Sequence, residues 1–88
     1  MKIVFDEQKD RTNREKHGVS LALAAAIDFE AALVIPDTRF DYGEKRYWAV
    51  APIDGRLHIL AFTMRGSTLR AISLRKANAR ERKRYGTR

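Results

Sequence analysis

The chain contains no cysteine. Disulfide stapling, thiolate metal sites and a cysteine nucleophile are therefore excluded, and a reducing compartment suits it. No apolar run is long enough to cross a bilayer: the longest mild stretch, Val19 to Phe29, is broken by Asp28. The opening residues Met1-Lys2-Ile3-Val4-Phe5-Asp6 turn polar and acidic at once, without the apolar region of a signal peptide. These absences predict a cytoplasmic protein. There is no internal repeat, low-complexity tract or Pro/Gly-rich linker. A length of 88 residues predicts one domain, residues 1–88, with a limited core and modest stability.

What the chain does have is positive charge in one place. The formal charge is +7. From residue 65 onward, nine basic side chains (Arg65, Arg70, Arg75, Lys76, Arg80, Arg82, Lys83, Arg84 and Arg88) stand against one acid, Glu81. Residues 1–64 are close to neutral. Such asymmetry points to a polyanionic partner: nucleic acid, an anionic membrane or an acidic protein. A solubilising basic tail is the plainer reading, but the arginines begin inside an expected strand. A membrane surface fits poorly, because the basic C-terminal helix lacks an apolar face.

The pattern predicts an α+β domain. Lys2 to Phe5 reads as a short N-terminal strand. Asp6 caps a helix that runs to His17 and is stopped by Gly18. That helix has no apolar side chain at all, so it should be solvated or use its polar face for something. Ser20 caps a second helix, Leu21 to about Glu30, with Leu23, Ile27 and the alanines turned to a core. Leu33-Val34-Ile35 is a short extended piece ended by Pro36, and Asp37 to Gly43 is a polar loop. A three-stranded antiparallel meander follows, near Glu44–Ala51, Arg56–Met64 and Leu69–Arg75. Turns at Pro52-Ile53-Asp54-Gly55 and Arg65-Gly66-Ser67-Thr68 join its strands. A basic helix from about Lys76 to Tyr85 closes the chain. The helices should cover one face of the sheet and leave the other free to work. The apolar run in the middle strand, from Leu57 to Phe62, predicts cover on both sides there.

Four groups can carry chemistry. Lys9, Asn13 and His17 recur every four residues, so they share one helix face. His17 can serve as a general acid or base, since imidazole titrates near pH 6.5; capping its own helix explains it equally well. Glu44 and Arg46 share a strand face and make either an anion clamp beside a base or an ordinary surface ion pair. Arg65, Arg70 and Arg75 offer planar guanidinium groups that bind phosphate bidentately. Arg80, Arg82, Lys83 and Arg84, with Tyr85, give a basic helix suited to phosphate contact plus stacking, to an acidic partner, or to nothing but solvent. No His/Asp/Glu set has metal-ligand spacing: His17 and His58 are far apart. There is no nucleophile elbow and no phosphate-binding glycine loop. No metal and no cofactor are therefore expected.

Several of these residues fall into a familiar pattern. Phe5-Asp6-Glu7-Gln8-Lys9, followed by Asn13-Arg14-Glu15-Lys16-His17-Gly18-Val19-Ser20, resembles the opening of the BrnT toxin family. Gly43-Glu44-Lys45-Arg46 is similar to the family's G-E-x-R. Arg70-Ala71-Ile72-Ser73-Leu74-Arg75-Lys76-Ala77, with Glu81-Arg82-Lys83-Arg84-Tyr85, resembles its R-x-I-S-x-R-x-A and E-R-x-x-Y ending. Phe5 departs from the usual tryptophan, keeping an aromatic anchor without the indole N–H. The resemblance implies a RelE-like ribonuclease fold and a toxin of a type II toxin–antitoxin pair that acts on RNA and halts translation. It implies neutralisation by a BrnA-type ribbon-helix-helix antitoxin, with operator DNA bound only through that antitoxin. By position it implies functional roles for Lys16, His17, Glu44, Arg46, Arg65, Arg70, Arg75 and Tyr85, with Arg80, Arg82, Lys83 and Arg84 as RNA contacts. The competing reading is a small basic RNA- or DNA-binding module without catalysis.

Overall fold

Asp6 and Gly18 bracket the first helix, as the sequence predicts. In the computed structural model, which describes residues 1–86, the Asp6 carboxylate accepts the backbone N–H groups of Gln8 at 2.8 Å and Lys9 at 3.2 Å. Gly18 takes a left-handed conformation (φ 72°), and its N–H closes on the Arg14 carbonyl at 2.9 Å. Between them runs α1, Glu7–His17. Arg88 of the basic run lies outside the described residues.

Having no apolar face, α1 docks by hydrogen bonds. Asn13 is buried, and its amide donates to the carbonyls of Val19 (2.9 Å) and Leu74 (2.8 Å) while accepting the Leu74 N–H at 3.0 Å. Asp10 accepts the Ser20 hydroxyl at 2.9 Å and the Leu21 N–H at 2.7 Å. The polar face of the helix is thus committed to backbone rather than left for a ligand. The second expected helix, to about Glu30, is instead a 3₁₀ segment, Leu21–Ala26. Its buried residues are Leu21, Ala24 and then Ile27, a period of three that suits i→i+3 winding and not an α-helix. Leu23, expected in the core, falls between them and is exposed.

The sheet has five strands, not the three of the expected meander. They are β1 (Lys2–Val4), β2 (Leu33–Asp37), β3 (Arg46–Ile53), β4 (Arg56–Arg65) and β5 (Thr68–Lys76), in the order β1-β5-β4-β3-β2. The meander β3-β4-β5 forms as read. Its flanks are β2, antiparallel to β3, and β1, parallel to β5. Pro36 does not end β2 but sits inside it, tolerated because an edge strand can do without one donor. Two-residue turns close both hairpins: Asp54-Gly55, both at positive φ, and Gly66-Ser67, with Gly66 at positive φ. The closing helix α2 is shorter than expected, Ala79–Tyr85, because Lys76 still belongs to β5 and Asn78 forms a capping box with Glu81.

One side of the sheet carries the main core. Leu60, Phe62, Leu69, Ala71, Leu74, Ala49, Ala51 and Ile53 pack there under Val19, Leu21, Ala24 and Ile27. The other side is not entirely free. A second cluster, Val50, Leu57, Ile59 and Ala77, closes one end of it with help from Leu33, Ile35, Trp48 and Tyr85. Leu57 to Leu60 are buried in succession, so β4 is covered on both sides, as its apolar run predicts. The remaining end of that second side is the open face.

Candidate functional site

Strand alternation decides which arginines meet. Arg46 on β3 and Arg65 on β4 point to the open face. On β5, Arg70 and Arg75 are an odd number of residues apart, so a regular strand would send them to opposite sides. The ladder prevents this. Phe62 pairs with Ala71 while its neighbour Ala61 pairs with Ser73, leaving Ile72 as an extra residue in a β-bulge. Arg70 therefore lies opposite Thr63 and Arg75 opposite Ile59, on the same side of the sheet, with Arg75 where the second cluster gives way to the open face. The bulge brings four arginines of three strands onto one surface.

The acids among them are few and occupied. Glu44, just before β3, lies 3.3 Å from Arg46 Nε and 3.9 Å from Arg65 Nη2. It ties the two arginines together at one end of the face. Arg65 and Arg70, on either side of the turn that joins β4 to β5, also line a shared hollow with Val4, Phe5, Asp6 and Thr68. Arg75 is differently placed. Its two Nη atoms fork onto Glu81 at 2.6 and 2.8 Å, which holds the Glu81 carboxyl below its usual pKa and raises that of the guanidinium. Two donors are engaged there; its Nε–H and outer N–H groups remain for an anion.

Lys16 and His17 close the end of α1, both exposed. They line a groove with Lys9, Thr12, Ile72 and Ser73, beside the bulge of β5. Partial desolvation, and then the charges of Lys16 and Arg75, push the His17 imidazole below its usual pKa. Its ring is thus neutral at neutral pH and within the field of Arg75. Asn13 of the same stripe is structural, as described above. His58, by contrast, is buried and has Nδ1 2.6 Å from the Arg56 carbonyl, to which it donates.

On α2, Arg80, Arg82, Lys83 and Arg84 are exposed, and Arg82 also donates to the Ala77 carbonyl at 3.0 Å. Tyr85 does not project freely. It is half-buried against the second apolar cluster, with the Arg84 guanidinium 5.6 Å from its ring centre.

A further set was not expected from the sequence. The loop after β2 folds back so that the Arg39 guanidinium lies 4.6 Å from the Trp48 ring centre and 5.7 Å from that of Phe40. Asp37 clamps it through Nε (3.0 Å) and Nη2 (3.1 Å) and accepts the Tyr42 hydroxyl at 3.0 Å. These bonds, Arg39 foremost, lower the Asp37 pKa to about 2. Arg46 stacks on Tyr42 at 4.0 Å. The clue lay in Asp37-Thr38-Arg39-Phe40-Asp41-Tyr42, where aromatics alternate with charge inside a supposed polar loop.

Among the described residues, no group of three or more His, Asp or Glu side chains is gathered as a metal site, and no helix is long and apolar enough to cross a membrane. No curated protein matches this sequence. A family model does: it matches residues 5–81, from the aromatic anchor before α1 through the Glu81 that holds Arg75, and leaves Arg82 to Tyr85 beyond its end. With so much of its length matched, the chain belongs to the BrnT family, the ribonuclease toxins of type II toxin–antitoxin systems.

Proposed function

We propose that this toxin is an endoribonuclease that needs no metal ion and binds RNA along the open face of its RelE-like sheet. The observation that carries the proposal is the β5 bulge, which gathers Arg46, Arg65, Arg70 and Arg75 on that face. RNA can be cut by its own 2′-hydroxyl, which attacks the adjacent phosphorus and leaves a 2′,3′-cyclic phosphate and a 5′-hydroxyl. A protein helps by removing the 2′ proton and by offsetting the charge that builds on the phosphate.

Of the two candidate bases, His17 suits the task better than Glu44. Its imidazole is kept neutral by partial desolvation and by the neighbouring cations Lys16 and Arg75. Glu44 is already engaged with two guanidinium groups. His17 takes the 2′ proton, Lys16 and the free donors of Arg75 offset the phosphate charge, and the departing 5′-oxygen is protonated by Lys16 or by water. Arg46, Arg65 and Arg70 hold the flanking backbone. Tyr85, packed at the foot of the face, buttresses α2.

The partner is an antitoxin of the BrnA type, with a ribbon-helix-helix region through which the pair reaches operator DNA in the cytoplasm. The exposed cations Arg80, Arg82, Lys83 and Arg84 suit an acidic segment of it, and complementary charge speeds such capture.

The test is cleavage of single-stranded RNA by purified toxin in EDTA. Undiminished cleavage is expected; activity lost in EDTA and restored by magnesium defeats the metal-free mechanism. A base must be unprotonated, so the rate should fall as pH drops through a His17 pKa lying below the ordinary value, and His17→Gln should abolish that acid limb. Binding of RNA without cleavage under any condition would favour a non-catalytic binding module.

A further inference from the structure

The loop between β2 and β3 makes an arrangement that phosphate binding does not require. Arg39 is held flat by a carboxylate that is itself almost fully covered: the Asp37 side chain is 3 % exposed, while that of Arg39 is 58 % exposed. The exposed partner is therefore the one that is fixed. Four contacts converge on Asp37: the Arg39 Nε, Nη2 and backbone N–H, the last at 3.2 Å, and the Tyr42 hydroxyl. A guanidinium restrained in this way behaves as a planar plate rather than a mobile charge. Below it lies Trp48, on the same face as Arg46 and Arg75. Beside it stands Phe40, which is 67 % exposed and edge-on to Tyr42 at 5.8 Å. Nothing in the core accounts for a phenylalanine so open to water.

A pinned guanidinium plane over an indole, next to an open aromatic ring, is the chemistry that receives a nucleobase. A phosphate would be better served by a guanidinium that had not already given its fork to a carboxylate. Trp48 lies two residues from Arg46 on β3 and on the same face, so the plate stands beside the arginines of the open face. We infer that Arg39, Phe40 and Trp48 form a stacking subsite for one unpaired base of an RNA strand whose backbone runs along Arg46 and Arg75. This rests on the reading of the open face as an RNA surface and adds to it a place where the strand is gripped by a base. The base lies on the outward plane of Arg39, flanked by Phe40, with Trp48 closing the stack beneath.

The experiment compares two uncleavable probes on the whole toxin: a short 2′-O-methyl oligouridylate and an abasic 2′-O-methyl backbone of the same length. Affinity is measured for both, with the emission of Trp48, the chain's single tryptophan, followed in parallel. The wild type should prefer the base-bearing probe by about tenfold. Its emission should change with that probe and not with the abasic one. Arg39→Lys keeps the charge and removes the plane, so it should lose the preference while still binding the abasic backbone. Phe40→Ala should lose part of the preference, and both exposed positions leave the core untouched. Equal wild-type affinity for the two probes removes the stacking subsite and leaves the RNA surface standing. An Arg39→Lys protein that keeps the full preference, or that weakens on both probes alike, also overturns it, the second result making Arg39 a phosphate contact. Failure of the wild type to bind either probe removes the RNA surface itself, and the subsite with it.

Discussion

The two sides of this sheet treat polar groups in opposite ways. On the helix-covered side, polar side chains are few and serve the backbone: Asn13 bonds both polar groups of Leu74, and Asp10 caps the turn at Leu21. Among the described residues, no buried side-chain nitrogen or oxygen lacks a partner. On the open side, the buried Thr63 apart, the polar groups are mostly charged, at least partly exposed and paired with one another, and cations stay in excess. Groups on the first side are valued for being satisfied; those on the second are useful because they are not. A helix with no apolar residue can therefore be structural along Asp10 and Asn13 and still offer Lys16 and His17 at its end.

Substitutions should separate the two sides, and the largest effect belongs to the covered one. Leu74→Ala removes a fully buried side chain from the core and should cost about 2–5 kcal/mol. That is a large share of the ~5–15 kcal/mol typical of a domain. Asn13→Ala leaves a donor and two acceptors without partners and should cost roughly 2–3 kcal/mol. Urea unfolding followed by circular dichroism measures both. An Asn13→Ala protein as stable as wild type would mean that α1 is held by something other than its amide clamp.

Next in size is the reverse pattern. Arg70→Ala should change stability by no more than about 0.5 kcal/mol, as a surface substitution does. It should nonetheless lower RNA cleavage by a factor of ~100. Arg75→Ala should match that loss and, by stripping Glu81 of its partner, also destabilise the protein slightly. Full ribonuclease activity in both variants would reduce the open face to ordinary surface charge.

Those two arginines also mark the limit of what the sequence discloses. The caps of α1, both hairpin turns and the doubly covered β4 are local in cause, and each is legible in the residues that make it. The parallel pairing of β1 with β5 joins residues far apart in the chain, and no local pattern announces it. Pro36 concealed β2, since only an edge position makes a proline acceptable there. Leu21, Ala24 and Ile27 carry their 3₁₀ period openly, but an alanine-rich run reads first as an α-helix. Within the site, Arg65 and Arg70 are neighbours by virtue of their turn, whereas Arg70 and Arg75 share a face only because Ile72 bulges. Arg39 over Trp48 depends on a loop folding back, which spacing does not encode.

A smaller effect should appear in acid. The Asp37 pKa is lowered to about 2, so its contribution to stability is present above the ordinary carboxylate range and is lost as pH falls toward 2. Asp37→Asn should therefore shrink the difference in stability between pH 5 and about pH 2, and Arg39, released from its clamp, should become more mobile. Thermal unfolding across that range reads the first and Trp48 emission the second. An unchanged acid profile in Asp37→Asn would assign the acid sensitivity to other carboxylates, such as Glu81, whose pKa Arg75 also lowers.

The smallest effect on the fold is expected at α2, and there the absence of an effect is itself informative. None of its residues is buried; the helix is held by its Asn78–Glu81 capping box, by the fork between Arg75 and Glu81 and by the half-buried Tyr85. Arg80 and Lys83 take no part in these contacts and Arg82 adds one hydrogen bond, to the Ala77 carbonyl at 3.0 Å, so reversing their charge to Glu should cost no more than about 1 kcal/mol. The same change should matter to the antitoxin. If an acidic segment lies along these cations, part of the attraction is long-range and screened by salt within about 10 Å at 0.1 M. The triple reversal should then weaken the complex, slow its formation and flatten its salt dependence, while the core stays as it was. Titration of the antitoxin at several ionic strengths measures this. Equal affinity and an equal salt slope in wild type and variant would place the antitoxin elsewhere on the toxin, with the open-face arginines the next surface to reverse.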